Sequence, residues 1–289
     1  MKTLILYCFC KDYYNKKLNI FLKNGIFNSQ KVDFILIRNN DNEEYLDELN
    51  KYLYNNVWLY LRPNFGHDFG GWNDALFLNE NDLKNNKVLR YKPATDNFLY
   101  TKYKKFIFLN DTIYGPFIPS YLNNIWTKYF VSKLKDNIGI VCVSVNGCNH
   151  PITKKFHNNF SKNMQMYYSI ISDDLSHAQS FAYALSLESL NILMKYNFYK
   201  PNNEVLYEIS KNKTKLIECY EIGMSCILRH EKKDIFSLRK DQGLIKYDKK
   251  VNNNNIWCLY NGDYPVLETI FVKQCTQNKL LDVDRYYSI

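Results

Sequence analysis

Residues 4–10 form an unbroken apolar run, Leu-Ile-Leu-Tyr-Cys-Phe-Cys. A strand covered on both faces has this pattern. Residues 13–22 then place apolar side chains at helical spacing, and the pattern stops at Asn24-Gly25. The step repeats: 32–37 reads as a strand, 43–53 as a helix, and 57–61 as a third strand that ends at Arg62-Pro63. Strands and helices alternating in this way predict an α/β fold with a mainly parallel central sheet flanked by helices.

Beyond the third strand the patterning changes. Gly66, Gly70 and Gly71 punctuate residues 64–73, which lead into a helix through Ala75, Leu76 and Phe77. Residues 79–105 are polar, contain Pro93 and show no clean period, which predicts a loop or short helices inserted between core elements. Residues 106–109 resume as a strand. Past Pro119, the spacing of Leu122, Ile125, Trp126, Tyr129 and Phe130 predicts a helix, and 138–145 a further strand. The second half predicts a loop over 146–174, a strand over 179–184, helices over 187–196 and 205–210, and another helix opening near Tyr220-Glu221. The tail, with a polar turn at 252–255 and residues 268–273 after it, reads as an ordered wrap. No internal repeat or linker interrupts the chain, so 1–289 is expected to be one domain.

Composition narrows the classes. With 289 residues, 46% of them hydrophobic and 23% charged, the chain can bury a core without staples and is not a disordered sequence. The net charge of +9 comes from scattered lysines, and the pairs Lys232-Lys233 and Lys249-Lys250 sit beside acidic or polar residues. A solvated surface accounts for them; the charge is weak support for an anionic ligand, and no nucleic-acid partner is expected. Eight cysteines occur without a C-x-x-C pair, and Cys8 and Cys10 alternate within an apolar run, which predicts reduced, buried thiols on one strand face. The first apolar stretch is too short for a signal peptide, and no run reaches the length of a membrane span. A cytoplasmic chain is expected, in which the sequons at Asn110, Asn159 and Asn212 carry no glycan. No G-x-S-x-G, Walker-type loop or metalloprotease spacing is present.

Sheets of this kind bind ligands at the carboxyl ends of their strands. Two segments stand there: Arg-Pro-Asn-Phe-Gly-His-Asp-Phe-Gly-Gly-Trp at 62–72 and Phe-Leu-Asn-Asp-Thr-Ile-Tyr-Gly-Pro-Phe at 108–117. Asp111 suits a hard, oxygen-liking cation, although a lone Asp after a strand is also a common cap or turn former. Together these two segments resemble the rhamnan synthesis F family and related polysaccharide-building glycosyltransferases. His-Ala-Gln-Ser-Phe at 177–181 and Tyr-Glu-Ile-Gly-Met-Ser at 220–225 resemble it too, in order, though each is weak alone.

The resemblance implies a GT-A-like fold in which residues 1–145 bind the nucleotide sugar and 146–289 form the acceptor-binding half and C-terminal wrap. It implies transfer of a sugar, a hexose or a deoxyhexose such as rhamnose, from a UDP- or dTDP-sugar donor to a hydroxyl of a glycan acceptor. The segment at Asn110-Asp111-Thr112 looks like the counterpart of the Asp-x-Asp motif of metal-dependent members. Asn110 stands where an acidic residue of that motif would be, so Mn²⁺ or Mg²⁺ would rest on Asp111. The expected donor set is Cys8, Arg38, Asn39, Arg62, Asn64, Gly66, Asp68, Gly70, Gly71, Asn110 and Asp111, with Gln179 and Tyr114 on the acceptor.

Several of these have a second reading. Asp68 and the glycines also fit a helix entry, and Arg62 a surface residue. An inverting transfer needs a base for the acceptor's proton. Glu221 is the first candidate, with a helix-start carboxylate as its plainer reading; His177 is the second, with a satisfied structural histidine as its plainer reading. Two other functions stay open: a non-catalytic glycan- or nucleotide-sugar-binding module, and a nucleotide-sugar hydrolase.

Overall fold

A computed structural model describes residues 2–10, 16–40, 46–92, 95–147, 157–239, 242–251 and 270–273. The first strand, β1 (Thr3–Phe9), is followed by α1 (Lys16–Asn24), β2 (Val32–Arg38), α2 (Leu46–Asn50) and β3 (Val57–Leu61). Then come α3 (His67–Leu76), α4 (Glu80–Asn85), β4 (Val88–Arg90) and β5 (Lys105–Asn110). The chain continues through β6 (Ile113–Tyr114), α5 (Trp126–Val131), β7 (Ile138–Cys142), β8 (Val145–Asn146) and α6 (His157–Tyr168). It goes on with β9 (His177–Ala178), β10 (Ala182–Ser186), α7 (Leu187–Lys195) and α8 (Glu204–Ser210). A long helix follows, made of α9 (Lys213–Leu216), a π-helical segment (Ile217–Ile222) and α10 (Gly223–His230), and last come β11 (Asp234–Ser237), β12 (Leu244–Ile245) and β13 (Val272–Lys273).

Nine strands form one sheet in the order β12-β11-β7-β10-β5-β1-β2-β3-β4. β1, β2, β3, β4 and β5 pair in parallel, as do β7 and β11, while β10 runs antiparallel between β5 and β7. The apolar runs explain why the sheet is covered on both sides. Along β1, Leu4, Leu6 and Cys8 join one core and Ile5, Tyr7 and Phe9 the other; β5 divides in the same way, with Phe106 and Phe108 opposite Ile107 and Leu109. Phe69, Trp72 and Leu76 of α3 pack the first face, and Leu18 and Phe21 of α1 with Trp126 and Phe130 of α5 pack the second. Trp72 and Trp126 are both fully buried, and truncating such a residue to Ala costs about 3–5 kcal/mol.

The predicted mainly parallel α/β sheet flanked by helices is therefore present, with local differences. Residues 146–174 contain α6, whose Phe160, Met164 and Tyr168 recur every fourth position and are buried. Residues 79–105 contribute β4 to the sheet edge beside β3. The helix expected to open at Tyr220-Glu221 opens at Lys213 instead, so Glu221 lies inside the π-helical segment and not at a helix N-terminus. Strand β1 ends at Phe9; Cys8 is buried and Cys10 exposed, which corrects the reading of both as buried. The polar turn at 252–255 and residues 268–269 lie outside the described residues.

Candidate functional site

Register brings the carboxyl ends of β1, β2, β3 and β5 to one edge: Cys8 pairs with Asn110, Phe9 with Arg38, and Arg38 with Leu61. β2 and β3 extend from one side of β1 and β5 lies on the other, so this edge is where the strand order reverses. Because β10 is antiparallel, its first residues arrive at the same edge: Asn110 N–H donates to the Phe181 carbonyl at 3.2 Å. Sequences from both halves of the chain thus meet beside Asn110.

An inner layer lies beneath the edge. Arg62 is fully buried and donates to Asp74 Oδ2 at 2.9 Å, Asn39 Oδ1 at 2.6 Å and the Phe65 carbonyl at 2.7 Å. Asn39, also buried, donates through Nδ2 to Cys8 Sγ at 3.1 Å and to the His67 carbonyl at 2.9 Å. Asp74 accepts further bonds from the Tyr207 hydroxyl at 2.6 Å and the Asn73 amide at 3.2 Å. This network bolts the turn at 62–67 to both ends of α3, through His67 in its first turn and Asp74 in its last. Arg62, Asn39 and Cys8, all expected in the donor set, are enclosed, and their bonds named here run to other protein groups. Arg38 is likewise buried at the end of β2. Burial pushes the Cys8 thiol well up, with Asp68 and Asp111 adding to the effect and Arg62 opposing it; a neutral thiol results, which is no nucleophile.

The glycines make this layer possible. A Cβ on Gly70 would sit 1.9 Å from the Phe65 carbonyl oxygen, and one on Gly71 2.8 Å from Cys8 Sγ. Gly66 precedes α3 with φ +76°, in the left-handed region where glycine carries no steric penalty. No side chain caps the N-terminus of α3, so its first N–H groups and the positive end of its dipole are directed at the sheet edge.

The outer layer carries the accessible chemistry. Asp68, in the first turn of α3, and Asp111, just past β5, are both half-buried. Asp68 Oδ2 accepts from Asn110 Nδ2 at 2.8 Å. Asp111 is fixed at both ends: its N–H donates to the Cys8 carbonyl at 3.0 Å and its Oδ2 accepts from the Cys10 N–H at 3.2 Å. Both carboxylates act on Cys8 and on Tyr7, whose hydroxyl burial holds well above its ordinary range; the two acids therefore flank the end of β1. Asn64 is exposed, its amide 3.6 Å from Cys10 Sγ. Asn110 is committed, donating to Asp68 and accepting from Thr112 Oγ1 at 2.6 Å and Thr112 N–H at 3.1 Å.

The second half adds a buried polar cluster. His177 is 4% exposed, with Nδ1 2.8 Å from the Leu175 carbonyl and Nε2 3.3 Å from Asn146 Nδ2. That arrangement fits the neutral tautomer with its proton on Nδ1, the plainer of the two readings of this histidine. Gln179 is also buried, accepting from the Ser144 hydroxyl at 2.6 Å and donating to Asn146 Oδ1 at 3.1 Å. Tyr114 is buried with Ile20 and Phe117, the Lys17 ammonium 5.3 Å from its ring centre, which places it beneath α1. Glu221 is half-buried and has no hydrogen-bonding or ionic partner among the described residues. Its neighbour Tyr220 packs on Phe69 of α3 at 5.5 Å between ring centres, which ties the π-helical segment to the turn holding Asp68.

The sequence pattern did not single out Asp74 or Tyr207. Asp74 could have been found as the only acid one helical turn beyond the glycine pair, on the helix that begins beside Arg62. Among the described residues no group of three or more His, Cys, Asp or Glu could hold a metal ion, and no helix is long and apolar enough to cross a membrane.

No family model matches the sequence, and no curated protein is significantly similar to it. Among solved structures, the apo form of the bifunctional glycosyltransferase WbbM matches with TM-score 0.36 and 10% identity, over 76% of this chain and 37% of that one. Apo mouse xyloside xylosyltransferase 1 matches with TM-score 0.37 and 11% identity, over 80% and 82%. The galactosyltransferase LgtC, in complex with donor and acceptor sugar analogs, matches with TM-score 0.32 and 9% identity, over 76% and 70%. The chain thus spans 37% of the WbbM chain, and none of these likenesses is close enough to bear on activity.

Proposed function

We propose that this chain is a glycosyltransferase that moves a hexose or deoxyhexose from a UDP- or dTDP-sugar to a glycan hydroxyl. The observation that carries the reading is the pair of half-buried carboxylates, Asp68 and Asp111, on two different elements beside the uncapped N-terminus of α3, at the strand-order reversal. A diphosphate leaving group needs N–H donors and positive charge at one end and fixed ligands for a counter-cation at the other. The segments at 62–72 and 108–117 that resemble glycosyltransferase motifs in sequence form this place.

The donor atoms fit a divalent cation in a limited way. Asn110 is engaged with Asp68 and Thr112, so Asp111, with Asp68 beside it, would hold the ion. Mg²⁺ and Mn²⁺ accept such a set, since one or two carboxylates suffice when phosphate and water complete the shell. When bound, the cation would neutralise charge on the departing nucleoside diphosphate. Asn110 acts as a positioning residue that holds Asp68 through its amide. Glu221, whose side chain has no partner among the described residues and which is tied through Tyr220 to α3, takes the acceptor's proton. Gln179, with His177 and Asn146, shapes the acceptor side. Local widening of a helix into a π-turn is frequent at functional sites, which supports Glu221 in this role.

The test is incubation with nucleotide sugars and glycan acceptors, with and without Mn²⁺. Transfer is expected, with donor binding lost in Asp111→Ala. Glu221→Gln should lower kcat by about 10²–10⁴-fold, with little change in donor affinity. Absence of transfer together with unchanged donor binding in Asp111→Ala overturns the proposal. Donor binding without product would instead mark a non-catalytic binding module, and free sugar released without acceptor a hydrolase.

A further inference from the structure

A second polar hollow shares no lining residue with the sheet-edge site. It is a groove of about 340 Å³ between α6 and the start of the long helix, lined among others by Lys162, Asn163, Asn212, Thr214, Lys215 and Glu218. Glu218 is 2% exposed. Its Oε2 accepts a bond from Asn163 Nδ2, and its Oε1 has no hydrogen-bond partner among the described residues. A buried carboxylate oxygen left bare is costly, and in native proteins such an atom usually meets a ligand or water. Asn212 Oδ1 is used to cap α9, accepting from Lys215 N–H at 3.1 Å, which leaves its amide nitrogen as a donor.

We propose that this groove binds a neutral polyhydroxylated ring, that is a sugar unit, outside the transfer site. The mixture of groups selects for it. An ammonium ligand would satisfy Glu218 but face Lys162 and Lys215; a phosphate would suit the lysines but face the carboxylate. A hydroxyl donates and accepts through one oxygen, so neighbouring hydroxyls on a ring can donate to Glu218 and accept from the lysines and Asn212. Burial also raises the pKa of Glu218, and a hydroxyl can pair with the carboxyl in either protonation state. The volume falls at the small end of ligand sites, which start near about 300 Å³, and suits a short glycan segment better than a large cofactor.

Saturation-transfer NMR on the full chain tests this with free glucose, galactose, rhamnose and N-acetylglucosamine as probes, and inorganic phosphate and methylammonium as charged controls. Saturation is expected to reach at least one neutral sugar. Glu218→Gln, and separately the exposed Lys162→Ala, should weaken that binding roughly tenfold, while Asp111→Ala leaves it unchanged. Lys162→Ala alters an exposed position, so it reports on the groove even where Glu218→Gln fails to fold. The proposal is overturned if no neutral sugar receives saturation at millimolar concentration, if Lys162→Ala and a folded Glu218→Gln bind as the parent does, if Asp111→Ala abolishes the signal, or if phosphate or methylammonium displaces the sugar.

Discussion

Replacing Arg62 by Met keeps much of the stem's volume and removes the guanidinium. Three contacts go: the ion pair to Asp74 at 2.9 Å and the bonds to Asn39 Oδ1 at 2.6 Å and the Phe65 carbonyl at 2.7 Å. Breaking a buried pair from one side costs about 3–5 kcal/mol, because the remaining charge stays buried without compensation. Here Asp74 keeps the Tyr207 hydroxyl and the Asn73 amide, so the lower end, about 3 kcal/mol, is expected. In a chain of this size that corresponds to a fall in Tm of about 5 °C. Urea unfolding followed by circular dichroism measures it, and adding Asp74→Asn to Arg62→Met should recover part of the loss by removing the stranded charge. Donor binding, measured by calorimetry on the folded variant, distinguishes the two roles of this residue. A stability change within about 0.5 kcal/mol, the range of ordinary surface positions, combined with lost donor affinity would refute the reasoning and return Arg62 to the expected donor set.

Three further outcomes follow from the same structure. Gly70→Ala must displace the Phe65 carbonyl and should cost more than the ~1–3 kcal/mol of ordinary overpacking, whereas Gly243→Ala, at φ +57° with open space around it, should cost only the left-handed strain of about 1–2 kcal/mol; chemical denaturation of the two variants gives the comparison, and equal losses would contradict it. Cys10 is exposed, whereas burial raises the thiols of Cys219 to about 12 and Cys226 to about 11; brief alkylation with peptide mass mapping should label Cys10 before Cys8, Cys142, Cys219 and Cys226, and early labelling of Cys8 would disprove the closed inner layer. Burial holds the Glu218 carboxyl above its ordinary range, so the folded chain binds this proton more tightly than the unfolded one, and its contribution to stability grows as pH falls through the folded pKa toward the unfolded value of about 4.3. Glu218→Gln should be no less stable at neutral pH and flatter over that acidic window; a parent curve no steeper than the variant's would count against it.

The first half of the fold was legible because its strands are buried on both faces and so read as continuous apolar runs. Leu4, Leu6 and Cys8 against Ile5, Tyr7 and Phe9 show the two faces directly. Helix α6 was hidden by composition: Phe160, Met164 and Tyr168 carry a clear four-residue repeat, but Asn, Ser, Lys and Gln fill the positions between and give the segment the look of a loop. The insertion of β10 between β5 and β7 could not be read at all, since pairing partners so distant in sequence leave no local mark. At the site, the strand-end rule drew attention to Asn110, Asp111 and Asp68. It could not say that Arg62, Asn39 and Cys8 face inward, because that depends on Asp74 and Tyr207 arriving from α3 and α8. Nor could it show a π-helical segment around Glu221, because side-chain periodicity carries no mark of a single widened turn.

The placement of β10 has a consequence for the way the chain is made. Until Ala182 and the residues after it have left the ribosome, β5 has a row of unpaired backbone groups along one edge, next to the exposed faces of Phe106 and Phe108. An open apolar edge of this kind is a template for pairing with other chains. The nascent first half therefore has the strands of the candidate site but not a closed sheet. A recombinant fragment ending before β10 is expected to aggregate on expression, and chaperones that cover hydrophobic strand edges would have most to do while residues between β5 and β10 are being translated.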